Sequence, residues 1–304
     1  MYAPLLAPLV LVPVVLVLAG CKDKADDTGT SLVQTIDGTW SAVAAGGGFT
    51  CAIDADSAVK CWGDDATGVV SATPTDDGWL ELTAGEGFAC GRKSDGVPAC
   101  WGADDQGQST PVPNPILEIS AGADHACSLQ ADDVVNCWGA YDLGATIPPN
   151  DRFTYISAGT GFTCAISTAG ETLCWGRDDL DIKDPTHPAN VAGSGHARVE
   201  AGNGIACGAS ASGGATCWGD TAAWPELFTG DDVYSQLSLG TGEACSLTTD
   251  GDAWCAMLEQ AGGSLSGSYA MVAAGTGHGC AMSTSGSLSC WALDEASQAA
   301  VAGP

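Results

Sequence analysis

The pattern of apolar and polar positions divides the chain into three unequal parts. Residues 3–19 are apolar or proline throughout (APLLAPLVLVPVVLVLA) and end on Gly20 and Cys21. Residues 22–31 (KDKADDTGTS) are polar, small and free of aromatics. Such a stretch cannot bury enough apolar surface to order itself and reads as a flexible tether. From residue 38 onward, short β-branched and Ala-rich runs alternate with turn residues, and sustained helical periodicity is missing.

Within this third part the apolar positions keep a fixed register around pairs of cysteines. Eight residues before each first cysteine stands a branched aliphatic: Val43, Leu82, Ile119, Ile156, Val199, Leu237 and Val272. Five before it stands Gly, at Gly46, Gly85, Gly122, Gly159, Gly202, Gly240 and Gly275. Eleven before it is usually an aromatic, as in Trp40, Trp79, Phe153, Tyr234 and Tyr269. The second cysteine follows ten residues after the first, with Trp directly behind it in six of seven copies; the sixth copy has Ala256 there and Trp254 just before the cysteine. Successive first cysteines lie 39, 37, 37, 43, 38 and 35 residues apart. A period near 37 residues accommodates about four short strands, which is one propeller blade. The predicted fold is therefore all-β, a single seven-bladed β-propeller. In each unit a strand ends at the Gly (as in WLELTAG), a two-stranded hairpin follows, and a fourth strand comes after Trp-Gly. The small Gly and Ala positions line the crowded inner part near the axis, and the aliphatic column faces the neighbouring blade. Two closures of the ring stay open: residues 32–36 add a strand to the last blade, or residues 298–301 complete it alone.

Fourteen of 15 cysteines form seven pairs. They are Cys51 with Cys61, Cys90 with Cys100, Cys127 with Cys137, Cys164 with Cys174, Cys207 with Cys217, Cys245 with Cys255 and Cys280 with Cys290. Folding residues 49–63 as an antiparallel hairpin centred on Asp56 sets Cys51 directly opposite Cys61, close enough for a disulfide. One intra-blade disulfide per repeat is thus predicted, each contributing about 2–3 kcal/mol in the chain-entropy picture. Zinc sites favour two to four residues between ligands and four converging ligands, which seven separate pairs with nine-residue gaps fit badly.

The apolar run at the amino end is short and carries Pro4, Pro8 and Pro13, which makes a poor membrane-spanning helix and a good signal-peptide core. Leu18-Ala19-Gly20-Cys21 resembles the lipobox of bacterial lipoproteins, although no Lys or Arg precedes the run. The resemblance implies a signal peptide over residues 1–20 and lipid attachment at Cys21. A tether over 21–37, which holds the closing strand in one of the two closures, then leads to a propeller over 38–304. The rival readings are an uncleaved anchor and a secretory peptide cut elsewhere. The expected location is the cell envelope, lipid-anchored at the outer membrane on its periplasmic or surface face, where disulfides persist.

The pattern Ala-Gly-x-x-x-x-Cys-Ala-[Ile/Leu] followed by Cys-Trp-Gly resembles the regulator of chromosome condensation repeat, whose members form seven-bladed propellers, over about residues 38–304. Two departures stand out. Acidic stretches such as Asp64-Asp65 and Asp104-Asp105 replace the Gly-Gln-Leu-Gly that follows Trp-Gly in the family, with a trace at Gly107-Gln108. The family's His two before the cysteine survives only at His125 and His278. The resemblance implies a fold and leaves the partner open.

Charge narrows the partners. Nine Lys and Arg stand against 37 Asp and Glu, a formal net charge of −28. Nucleic acid and anionic lipid surfaces are both repelled by such a chain. Catalytic motifs are not discernible: there is no Gly-x-Ser-x-Gly elbow or His-Glu-x-x-His helix. His125, His278 and His196 sit in repeat columns and read as packed residues, while His187 has no evident triad partner. Asp54-Ala55-Asp56 and Asp178-Asp179-Leu180-Asp181 could offer oxygen ligands to calcium but lack the full loop pattern, so solvated turns are expected and no metal or cofactor. The longest insertion, residues 176–195, with Asp178, Asp179, Asp181 and His187, is the candidate ligand loop, joined by the off-register Trp224. The expected role is a monomeric, non-catalytic binding module for an envelope or surface protein or glycan. A structural envelope component is the runner-up and a polysaccharide hydrolase or lyase the third reading.

Overall fold

The computed structural model describes residues 33–141, 143–177, 195–221, 228, 232–257, 260–265, 267–292, 301, 303 and 304. Among these, twenty-three strands form seven antiparallel sheets. The blades span residues 40–63, 79–102, 116–139, 153–176, 196–219, 234–265 and 269–292, numbered here 1 to 7. Each inner strand lies against the inner strand of the next blade, and the seventh lies against the first. The molecule is a closed seven-bladed propeller.

Blade 1 shows the plan. After β1 (Val33–Ile36), the inner strand β2 (Trp40–Ala45) leads through an Ala-Gly turn into the middle strand β3 (Phe49–Asp54), and a hairpin leads to the outer strand β4 (Val59–Gly63). Ile53 pairs with Val59 and Cys51 with Cys61, so the hairpin is centred on Asp56 as predicted.

The remaining cysteines repeat this arrangement. Cys51 is bonded to Cys61, Cys90 to Cys100, Cys127 to Cys137 and Cys164 to Cys174. Cys207 is bonded to Cys217, Cys245 to Cys255 and Cys280 to Cys290. The paired Cα atoms stand 4.0–4.1 Å apart, as directly opposed residues of one hairpin must. Each first cysteine sits on a middle strand and is buried. Their partners sit on outer strands and vary: Cys174 and Cys290 are buried, whereas Cys100, Cys137 and Cys217 are half-buried.

The fourth strand departs from expectation. In blades 1, 2 and 3 no strand follows Trp-Gly among the described residues; the chain leaves the sheet. The cause is the glycine itself: Gly63, Gly102, Gly139, Gly176 and Gly219 have φ between 93° and 115°, a region that strands and L-side chains avoid. Blade 6 has Met257 at this position, and there the chain returns as a fourth strand, Gln260–Leu265. Blade 7 has Ala292, and its fourth place is taken by β1, which pairs antiparallel with the outer strand Leu288–Ala292. The ring closes through residues 33–36, the first of the two alternatives; Val301 is buried in the same cluster as Ile36.

The described residues form no central core. Seven apolar clusters sit at seven blade interfaces. The aliphatic column packs backward, as expected: Ile119 of blade 3 joins Phe88 and Cys90 of blade 2, and Val199 of blade 5 joins Phe162 and Cys164 of blade 4. Burying one such side chain is worth about 1.5–3 kcal/mol. The aromatic eleven before the cysteine meets the Trp behind the second one: Trp40–Trp62, Trp79–Trp101 and Phe153–Trp175 have ring centroids 5.7–5.9 Å apart.

At the axis the seven Gly of the register form a ring in which space, not φ, demands glycine. A Cβ on Gly85 would lie 2.5 Å from the Gly122 carbonyl oxygen and 2.3 Å from Phe88; one on Gly122 would lie 2.2 Å from the Gly159 oxygen, and one on Gly240 2.1 Å from the Gly275 oxygen. Gly85→Ala is therefore expected to cost about 2–4 kcal/mol. Gly107→Ala, at a left-handed position with nothing within 4 Å, is expected to cost only about 1 kcal/mol. Denaturant unfolding with disulfides intact measures both; equal costs would remove the axial ring as a packing constraint.

Candidate functional site

The axial turns open on one end of the ring as a shallow, solvent-facing pit lined by residues of all seven blades. Backbone bonds link its rim from blade to blade: Gly47 N–H donates to Gly85 O, Thr160 N–H to Gly202 O and Thr276 N–H to Gly46 O. Glu86 of blade 2 reaches across the axis and accepts hydrogen bonds from Thr241 (3.2 Å) and Thr276 (3.0 Å) of blades 6 and 7. It passes over Gly47, where a Cβ would stand 2.5 Å from its carboxylate. Thr160 and Asn203 complete the polar lining.

Below the pit, side chains of blades 2, 3, 4 and 6 accept hydrogen bonds from the free edge of the blade that follows. Seven residues before the first cysteine, Thr83, Ser120, Ser157 and Ser238 accept the amides of Ala121, Ala158, Ala201 and Ala274, each at 2.9 Å. Nine before it, Glu81 accepts the Ile119 amide, and Gln236 both accepts from and donates to Val272. This layer also buries acids. Tyr155 and Ser157 donate to Glu200 at 2.8 and 3.1 Å. Burial, with Glu81 and Glu200 adding repulsion, pushes Glu118 up to about 8; burial pushes Glu200 up to about 7.

The histidines are packed residues of the interfaces. His125 Nε2 meets Thr163 Oγ1 of the next blade at 2.8 Å, and His278 Nε2 meets Thr50 of blade 1 at 3.0 Å. Burial pushes His125 down to about 4 and lowers His278. His196 stands in the aromatic column and stacks on Trp218 with centroids 5.9 Å apart. Glu243 occupies the same column as His125, a departure that reading the histidines alone overlooks. It is fully buried, pushed up to about 8 by that burial, and bonded by Trp291 Nε1 of blade 7. Gly279 makes room for it: a Cβ there would meet both carboxylate oxygens at 2.7 Å. The signal that finds these pairs is a match between columns of adjacent blades. His two before the cysteine goes with Thr one before it in the next blade, Phe or Ile goes with Ala, and Glu goes with Gly. Among the described residues, Glu243 with Cys245 and Cys255 is the one trio near enough to share a metal, and its sulfurs are tied in a disulfide.

Loops after Trp-Gly share the face of the axial turns. Their acids cap their own backbone: Asp65 accepts the amides of Val70 and Ser71, and Asp104 that of Ser109. Asp54, the calcium candidate on the hairpin side, accepts the amides of Asp56 and Ala58. Gln108, the family trace, is buried and takes the Trp138 indole N–H on its carbonyl at 2.9 Å. The loop of blade 3 differs: Tyr141, Leu143 and Ile147 are 75%, 49% and 68% exposed. At the same register positions blade 1 has Asp65, Thr67 and Ser71, and blade 2 has Asp104, Gln106 and Thr110. Cys21, Asp178, Asp179, Asp181, His187 and Trp224 lie outside the described residues.

The same ring occurs in solved propellers. The ectodomain of the Physcomitrella patens receptor kinase CR4 is 24% identical over 84% of this chain and 74% of that chain, with a TM-score of 0.70. The ectodomain of the Arabidopsis thaliana receptor kinase ACR4 is 24% identical over 84% and 97%, with a TM-score of 0.66. Prp20p from Saccharomyces cerevisiae is 15% identical over 84% and 83%, with a TM-score of 0.64. At these identities the likeness is one of fold. No curated protein sequence matches the chain. Residues 40–68, blade 1 and the start of its loop, match the family described as Regulator of chromosome condensation (RCC1) repeat. The protein is a β-propeller built on that repeat, and its other six blades follow the same register.

The interface pairs and buried acids each yield a measurable outcome. His125→Phe and Thr163→Ala are each expected to cost about 1–2 kcal/mol, while the double variant, which copies Phe88 over Ala126, should recover at least about 1 kcal/mol of the sum. Additive losses would deny the pairing. As to pH, the folded carboxyls of Glu118, Glu200 and Glu243 hold protons that the unfolded chain releases above about 4.5, so their stability is lost as pH rises through about 7–8. The buried histidines oppose this only below about 6.5, where the unfolded chain takes up protons first. Stability should change little from about pH 5 to 6.5 and fall from about 6.5 to 8, less steeply in Glu118→Gln. A rise over the upper interval would overturn the assignment of protonated acids.

Proposed function

We propose that this protein is an exported lipoprotein, held at the cell envelope by a lipid on Cys21, whose propeller binds another protein through the face of the axial turns and post-Trp-Gly loops. The observation that carries the binding reading is the loop of blade 3, which exposes Tyr141, Leu143 and Ile147 where its two predecessors expose Asp, Thr, Gln and Ser. An even acidic coat would suit a purely structural envelope component; this loop breaks the coat with apolar side chains on a rigid scaffold. Prp20p has binding properties to Gsp1p and histones, so one solved neighbour uses the fold to hold proteins. Those partners belong to Prp20p and do not carry over to this chain, because at 15% identity the likeness is one of fold.

The anchoring reading rests on the apolar run that stops at Leu18-Ala19-Gly20-Cys21 and on seven disulfides, which persist in an oxidising compartment. In it, the tether runs from Cys21 to residue 32 and β1 begins the propeller.

Cys21→Ser tests the anchor. The native chain, expressed in its host with a labelled fatty acid, should carry label and partition into detergent. The variant should carry none and appear soluble in the envelope space. A variant that still sediments with membranes points to an uncleaved anchor instead.

A further inference from the structure

We infer that the patch of Tyr141, Leu143 and Ile147, bordered by Asp104, Asp105 and Asp124, is the docking site for a cationic amphipathic segment of the partner, one in which Leu-like side chains alternate with Lys or Arg. The inference rests on the binding reading above and specifies what is bound.

The patch is built rather than loosely exposed. Gly144 N–H donates to Tyr141 O and Ile147 N–H to Gly144 O, two consecutive turns that fold the segment back on itself. Ala145 between them is buried, and its carbonyl accepts the Trp175 indole N–H at 2.8 Å and the Thr163 hydroxyl at 3.1 Å. The loop is thereby pinned to blade 4 while its three large apolar side chains face solvent. Association can then proceed without the cost of ordering the loop.

Charge identifies the occupant. Ala140 N–H donates to the carbonyl of Asp124, an exposed acid at the axial turn. On the other flank Asp105 accepts from Gln108, whose carbonyl holds Trp138 at the root of the same loop, and exposed Asp104 lies beside it. Arg177, near Leu143, and Asp124 each have a further interaction of their own, so the rim is read from the exposure and charge of Asp104, Asp105 and Asp124 together. A second copy of this chain would bring another −28 charges to an acidic rim. The chain's own insertion brings Asp178, Asp179, Asp181 and Asp184 against Lys183. Both are repelled, as is an anionic lipid surface. A segment with basic residues around an apolar core is attracted by the rim and buried by the patch.

The test uses the purified, disulfide-intact protein and fluorescent peptides read by anisotropy. The probes are a Leu/Lys amphipathic peptide, its Leu/Glu and Ser/Lys counterparts, and a neutral glucan oligosaccharide as competitor. The first protein variant combines Tyr141→Asp, Leu143→Gln and Ile147→Thr, which rewrites the loop in the residues of blade 2. The second is Asp124→Asn, which leaves the apolar patch intact. Expected is binding of Leu/Lys, weakened at least about 10-fold by the triple variant and by the Ser/Lys probe, and about 3-fold or more by Asp124→Asn or by raising salt from about 50 to 500 mM. Equal binding of Ser/Lys and Leu/Lys, or full affinity in a triple variant with native disulfides and unfolding midpoint, would reduce the effect to adhesion on an acidic surface and overturn the inference. Preference for Leu/Glu, or displacement by the oligosaccharide, would overturn it as well. Crosslinking in intact cells separates the two levels: a discrete partner lost with the triple variant but contacting through a neutral or acidic segment defeats this inference and leaves the binding role standing. Identical capture by both forms defeats both.

Discussion

The inner strand of every blade has an edge with no strand beside it, and the ring depends on how that edge is satisfied. Unpaired amides near the axis would be costly to bury and would invite foreign strands if left open. Blades 2, 3, 4 and 6 supply side-chain acceptors to the blade that follows, Ser or Thr hydroxyls with Glu or Gln beside them, and at the axial turns the direction reverses, turn amides donating to carbonyls of the next blade. Short side chains reach that far only if adjacent blades nearly touch. The Gly ring permits this approach, and Ala89, Ala126, Ala206 and Ala244 keep the next layer thin. Interfaces this thin contain few large aliphatics, and the disulfides occupy part of the volume while fixing each hairpin's register. Among the described residues the apolar clusters lie between blades, and β1 ties the ring shut by pairing with the outer strand of blade 7 while Ile36 joins the cluster between blades 7 and 1.

Much of this is legible in the sequence because repetition multiplies weak signals. One Gly five residues before a cysteine says little; seven in register say that a Cβ is forbidden. The hairpin centre at Asp56 follows from the spacing of Cys51 and Cys61 alone, and the same spacing places Cys100, Cys137, Cys174, Cys217 and Cys290 opposite their partners. The fourth strand misleads, because period length suggests four strands per blade, whereas the conformation of Gly63 and its equivalents ends the sheet after three. The corrective signal lies in Met257 and Ala292, the two places where Gly is missing and a fourth strand lies alongside. The interface pairs are hidden for a different reason. His125 with Thr163 is a relation between blades, and reading each repeat as a unit conceals it. The apolar loop escapes notice because Tyr141, Leu143 and Ile147 look ordinary until aligned with Asp104, Gln106 and Thr110.

Departures from the repeat therefore fall into two kinds, and the difference bears on function. In blade 6, Glu243 replaces an aromatic, but Gly279 yields the space and Trp291 supplies a donor. Trp254 is displaced from its column, and Phe228 comes to meet it at 6.3 Å. Met257 abolishes a glycine turn, and a strand fills the edge. Each of these changes is answered by another within the protein, which is what selection for a stable ring produces. The loop of blade 3 has no such answer. Its backbone is held by Trp175 and Thr163; Leu143 rests in part on Gly161, while Tyr141 and Ile147 are 75% and 68% exposed among the described residues. Three large apolar side chains exposed in a chain of net charge −28, on a backbone held by other contacts, are the departure that the proposed docking surface addresses.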